Sequence, residues 1–199
     1  MEMLQKICFV LLLTTLSSVY AGNCFEGKDI EDCRVKAEQG DSSAQYNLAL
    51  MYSNGKGVPQ DSKEAAKWYR KSAKQGDQHA QNKLGTMYRY GWGVSRDAEE
   101  AVKWFRQSAE QGDKHAQSNL GRMYRYGWGV SRDYQEAVKW YRLAAEQGLA
   151  KAQYNLGVMY AKGQGVLKDS VMAHMYWNMA AVSEHEDAIK GRGVVEKKK

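Results

Sequence analysis

"MYRYGWGVSRD" occupies residues 87–97, and the same eleven letters return at 123–133. A string copied 36 residues away marks a repeat array, in which one small unit is written several times and stacked. Outward from this string, the chain from Ala37 divides without a gap into four frames: 37–72, 73–108, 109–144 and 145–180. The second and third agree at 26 of 36 positions. Several columns hold in all four: Ala44, Ala80, Ala116 and Ala152; Leu48, Leu84, Leu120 and Leu156; Tyr52, Tyr88, Tyr124 and Tyr160. The Gly-x-Gly-Val of 55–58 recurs at 91–94, 127–130 and 163–166, followed in each frame by Asp61, Asp97, Asp133 or Asp169.

These columns define a hairpin of two helices. Ala44, Leu48 and Tyr52 follow one another at i, i+4 and i+8, which is one stripe of a helix, with Asp41 as its N-cap. The paired glycines stop that helix, because glycine takes the left-handed terminal conformation without a Cβ clash. Asp61 then opens a second helix, and Asp61/Glu64, Asp97/Glu100 and Asp133/Glu136 have the spacing of a capping box. The fourth frame breaks that spacing with Met172. Ala65, Trp68, Tyr69 and Ser72 give the second helix its apolar stripe. Gly40, Gly76, Gly112 and Gly148 end it. Gly85, Gly121 and Gly157 sit inside first helices, where glycine costs ~1 kcal/mol against alanine, so close packing is expected there. One such hairpin buries too little apolar surface to stand alone, and stacked hairpins share a continuous core.

The pattern A-x-x-x-L-G-x-x-Y-x-x-G-x-G-V-x-x-D, with its W-Y/F pair, resembles the Sel-1-like repeat family, relatives of tetratricopeptide repeats. The resemblance covers 37–180. It implies an all-α fold, an α/α right-handed superhelix of four repeats, and work as a non-enzymatic scaffold for a protein or peptide partner. Bacterial members of that family are often exported. The fourth frame departs at Leu149, Met172, His174 and Tyr176.

The two ends differ from the array. Lys6 precedes an apolar run at 7–16, and "SSVYA" places Val19 and Ala21 at the −3 and −1 positions of a cleavage site. Residues 1–21 therefore read as a signal peptide, and the product as periplasmic or secreted. The apolar run is about half the ~20 residues that span a bilayer. Residues 22–36 form an N-terminal cap, in which Cys24 and Cys33 are placed to close one short disulfide loop in an oxidising compartment, or to stay as two thiols. Residues 181–199 start as a further helix and end in a basic tail.

Framework and free positions separate within the opening string. Met87, Tyr88, Gly91, Gly93, Val94 and Asp97 fall in shared columns. Arg89, Tyr90, Trp92 and Arg96 fall in columns where frame one has Ser53, Asn54, Lys56 and Gln60, and frame four has Ala161, Lys162, Gln164 and Lys168. Frame three repeats the set as Arg125, Tyr126, Trp128 and Arg132. Arg, Tyr and Trp are enriched in binding hot spots, so these eight residues are a candidate patch for an acidic or aromatic partner surface. Recent duplication, with Trp packing on the neighbouring loop, explains the same letters. A second candidate is the groove along the first helices, with Asn47, Lys83, Asn119, Arg122 and Asn155 as polar contacts, or simply as a solvated face.

Other chemistry is sparse. His79, His115, His174 and His185 form no metal-ligand spacing, and no phosphate-binding loop is present, so neither metal nor cofactor is expected. Ser53 and Lys56 fit Ser-x-x-Lys, a motif of penicillin-interacting enzymes, but it crosses a glycine stop. The resemblance brings in a cysteine-rich branch described as β-lactamase-like, which carries a disulfide pair in each repeat; no cysteine lies within the repeats here. The net charge of +6 admits an anionic envelope surface as a partner. Nucleic acid is not expected of an exported chain whose basic and acidic residues interleave.

Overall fold

A computed structural model describes residues 30–182. All regular structure among them is helical. The helices are α1 (Ile30–Glu38), α2 (Ser42–Asn54), α3 (Ser62–Lys74), α4 (Gln78–Tyr90), α5 (Ala98–Glu110), α6 (Lys114–Tyr126), α7 (Tyr134–Glu146), α8 (Ala150–Lys162) and α9, over 170–182. They pair as α2/α3, α4/α5, α6/α7 and α8/α9, one hairpin for each frame, with α1 as a lone second helix in front. Residues 1–21, Cys24 and 183–199 lie outside the described residues.

The caps explain where the helices begin. The side chains of Asp41, Asp77 and Asp113 accept a hydrogen bond from the backbone N–H of Ala44, Ala80 and Ala116. Leu149 makes no such bond, so α8 starts without a side-chain cap. The second helices start on Asp61, Asp97, Asp133 and Asp169. Only half of the expected capping box forms. The N–H that its Glu would accept from already donates to a first-helix carbonyl: Asp61 N to Tyr52 O, Asp97 N to Tyr88 O, Asp133 N to Tyr124 O. The carboxylates of Glu64, Glu100 and Glu136 pair instead with Lys67, Lys103 and Lys139 one turn on. Because the Asp half alone suffices, Met172 does not prevent the fourth second helix from being capped.

The leucine column is the centre of the core: Leu48, Leu84, Leu120 and Leu156 are wholly buried. Burying each contributes roughly 1.5–3 kcal/mol. Beside them lie Tyr69, Phe105 and Tyr141 of the second helices, also buried. A Cβ on Gly121 would come 2.9 Å from the Tyr141 ring, and one on Gly85 would come 2.8 Å from Phe105. The glycines inside the first helices therefore make room for the aromatic of their own hairpin. The buried side chains form two clusters, and Tyr88 packs against both, so the core continues along the array.

Neighbouring frames are joined by polar columns as well as apolar ones. Gln45, Gln81, Gln117 and Gln153 are buried, and each donates its amide to a carbonyl of the preceding second helix, at Ala37, Ala73, Ala109 and Ala145. Gln75, Gln111 and Gln147 then donate to the Gln45, Gln81 and Gln117 side-chain oxygens at 2.7–2.9 Å. Gln45, Gln81 and Gln117 thus each tie three helices. A third column runs from Arg70, Arg106 and Arg142 to the hydroxyls of Tyr88, Tyr124 and Tyr160 in the next frame. This bond accounts for Tyr88, Tyr124 and Tyr160 of the tyrosine column.

The loops reach backward. Gly129 has φ +68°, and a Cβ there would collide with the Ala98 carbonyl and fall 2.6 Å from Glu99 N, at the start of the preceding frame's second helix. Gly93 and Gly165 stand in the same relation to Ser62 and Tyr134. The second glycine of each loop is therefore a seat between frames, beyond its role in the turn.

Candidate functional site

The backward reach of the loops builds the site. Trp128, on the loop of frame three, lies over the end of hairpin two, and the Arg89 guanidinium carbon is 4.9 Å from its ring centroid. The same carbon is 4.8 Å from the Tyr90 ring. Tyr90 stacks on Trp92 with centroids 4.8 Å apart, and Tyr126 on Trp128 at 4.6 Å. The two sets meet through Arg89, where ring faces hold the cation by its attraction to their π density. All four rings remain exposed: Tyr90 48%, Trp92 54%, Tyr126 48% and Trp128 40%.

A cavity of about 320 Å³ opens between the sets, bounded by Arg89, Tyr90, Arg96, Ala98, Met123 and Trp128. Among the described residues no acidic side chain lines it. Partial burial, and next the neighbouring Arg122 guanidinium, hold the Arg89 pKa below the usual arginine range. Arg122, a candidate of the groove, is thus close enough to act on Arg89 at the loop edge.

The remaining candidates disperse. Arg125, the counterpart of Arg89, donates to Asn155 Oδ1 at 3.4 Å. Its guanidinium also faces the buried Tyr141 hydroxyl, whose pKa is raised chiefly by burial. That hydroxyl makes no hydrogen bond of normal geometry. Arg132 lies over the Tyr134 ring at 5.5 Å. Asn119 donates to Asn82 at 3.0 Å, and Asn47 lines neither cavity.

A second hollow of about 680 Å³ follows the groove nearer the N-terminus, with Tyr46, Tyr69, His79, Lys83, Trp92 and His115 among its walls. There His79 Nδ1 lies 3.0 Å from Asp113 Oδ2, on the carboxylate that caps α6. The His79 side chain stays mostly exposed. Its link to Asp113 spans adjacent frames, and His115 has no counterpart because Leu149 stands where the next Asp would be.

Among the described residues no group of His, Cys, Asp and Glu is arranged to hold a metal ion. No described helix is long and apolar enough to cross a membrane. Ser53 is in the last turn of α2, whereas Lys56 lies beyond the left-handed Gly55, so the pair is not one helical turn apart on a single helix. Cys33 is buried on α1, with Sγ 3.8 Å from the Ala44 carbonyl oxygen.

Stacked helical hairpins, with an arginine–aromatic hollow between two of them, define a helical repeat solenoid. The family model described as Sel1 repeat matches residues 42–77, 78–113, 114–149 and 150–181, each beginning at the first residue of a first helix. The chain belongs to the Sel1-repeat family, whose members are generally protein-interaction scaffolds. Among solved structures it is similar to c5321, a protective antigen of uropathogenic Escherichia coli strains displaying an SLR fold. The identity is 46% and the TM-score 0.74, over 76% of this chain and 32% of that one. A Sel1 repeat protein from Oxalobacter formigenes is 38% identical, with a TM-score of 0.72, over 76% of this chain and 62% of that one. The chain thus spans less than two thirds of either relative's length. Helicobacter pylori cysteine rich protein B, 18% identical with a TM-score of 0.52 over 63% of this chain and 93% of that one, shares the fold. No curated protein matches the chain.

Proposed function

We propose that the chain is an exported, non-catalytic scaffold that binds a protein or peptide partner through the loop edge and groove at the junction of frames two and three. The observation that carries this reading is the pair of exposed Tyr/Trp stacks at that junction. Frames one and four fold with Asn54/Lys56 and Lys162/Gln164 in the same columns, so architecture does not require aromatics there. Large aromatics left half in water are the residues from which interface hot spots are built. The arrangement of 1–21 supports export, which sequencing the N-terminus of the secreted or periplasmic product tests by a start at Gly22.

The binding reading is tested by affinity capture with the mature chain, beside a Trp92→Ala/Trp128→Ala variant of matched thermal stability. The variant is expected to lose the partner that the wild type retains. Equal capture by both refutes this location of the site.

A further inference from the structure

We propose that the Arg89 hollow is a carboxylate receptor, which seats a glutamate-type carboxylate of an extended acidic segment of the partner. This rests on the protein-binding reading above and names the chemistry that the site selects. The basis is a comparison of arginines that the repeat places in equivalent surroundings. Arg70, Arg106 and Arg142 are committed to tyrosine hydroxyls. Arg125 is committed to Asn155. Arg89 occupies the same column as Arg125 and carries the same neighbours in sequence, yet it has neither a hydrogen bond nor a carboxylate partner among the described residues.

What Arg89 has instead is two rings against its carbon centre. Ring contacts fix the guanidinium plane and leave its N–H donors at the perimeter, where a planar two-oxygen acceptor is matched by a forked pair of bonds. The charge is not neutralised locally. Arg96 is on the rim, and Arg122 is close enough to act on Arg89 electrostatically. The floor is apolar, made by Met123 and Ala98. A short methylene stem fits that floor while its carboxylate reaches Arg89, and a volume of about 320 Å³ accommodates one side chain of this kind. The charge and shape therefore favour an acidic peptide. A bare anion would leave Met123 and the ring walls without a contact.

The test is a titration followed by tryptophan fluorescence at low ionic strength, where surface electrostatics are least screened. The probes are acetyl-hexaglutamate amide, acetyl-hexaglutamine amide, acetyl-pentaglutamine with a free C-terminal carboxylate, and inorganic phosphate. Hexaglutamate is expected to bind and hexaglutamine to fail. Tighter binding of pentaglutamine acid than of hexaglutamine, with hexaglutamate also bound, supports a carboxylate receptor that takes chain ends as well. Arg89→Lys keeps the charge but loses the planar fork, and is expected to weaken hexaglutamate binding about ten-fold. Lys162→Gln, at the far end of α8, should leave it within about two-fold. Should Arg89→Lys prove less stable to heat, Arg96→Gln on the rim carries the same test, with a weakening of about three-fold expected.

Four results overturn the proposal: no binding of hexaglutamate, equal binding of hexaglutamine, full displacement by equimolar phosphate, or an Arg89→Lys affinity equal to wild type. Each leaves the scaffold reading standing if the Trp92/Trp128 variant still loses its partner. Equal capture by that variant, with carboxylate binding intact, removes the scaffold site and leaves the receptor.

Discussion

Replacing Gly129 by alanine tests whether loop glycines join frames or merely turn the chain. Gly112 supplies the reference. Its φ is +97° and a Cβ there meets nothing within 4 Å, so Gly112→Ala carries the backbone cost alone. A non-glycine residue in such a conformation costs about 1–2 kcal/mol. Gly129→Ala carries a similar cost at φ +68° and, in addition, drives a methyl into the Ala98 carbonyl and to 2.6 Å from Glu99 N. Ordinary carbon contacts begin at about 3.5 Å, so the loop has to retreat by roughly an ångström. Neither neighbour is a side chain that can turn away. Overpacking of this kind costs about 1–3 kcal/mol, which places Gly129→Ala near 3–4 kcal/mol in total. For a chain of this size that is a fall in Tm on the order of 10 °C, against about 5 °C for Gly112→Ala. Gly57→Ala belongs between them, because its Cβ would meet the Ile30 side-chain end at 2.7 Å, which can move. Thermal unfolding followed by far-UV circular dichroism reads all three. Equal melting of the Gly129 and Gly112 variants would refute the seat between frames.

Three further expectations concern the polar columns and the buried hydroxyls. Gln117→Ala removes its bonds to the Ala109 carbonyl and the Gln147 amide, each of which keeps a backbone partner at Gly112, and is expected to cost about 0.5–1.5 kcal/mol in urea unfolding. Arg106→Met and Tyr124→Phe each remove one side of the same bond between frames. Their double-mutant cycle is expected to show a coupling of about 0.5–1.5 kcal/mol, and strict additivity would dismiss the bond. Tyr141→Phe removes a buried hydroxyl that has no properly formed hydrogen bond, so stability is expected to stay level or rise by up to about 1 kcal/mol; a loss larger than that would show that the hydroxyl is satisfied.

The repeat made most of the architecture legible. Ala44, Leu48 and Tyr52 set the buried face of α2, Asp41 and Asp61 set the helix starts, and Gly55 set the first stop, each for a local reason that the letters carry. What sits above a residue was not legible, because it comes from the next frame. Arg89 and Arg125 stand in identical strings, yet one meets Trp128 and the other Asn155, since frame four carries Gln164 where a third Trp would be. For the same reason Arg122, assigned to the groove, belongs beside Arg89. The glutamine relay was not legible although its columns are regular, because a buried amide shows in a sequence only once its acceptor carbonyl is placed. Tyr52 and its copies lie on the stripe of the first helix, and three of them also accept from an arginine 18 residues earlier.

The loop seats have a consequence for assembly in time. Gly93, Gly129 and Gly165 each rest on a helix start that precedes them in the chain. A polypeptide that leaves a narrow channel with its N-terminus leading delivers every loop to a platform already in position. Construction then runs in one direction, like masonry laid course upon course, and a stalled product ends in finished hairpins with one raw edge.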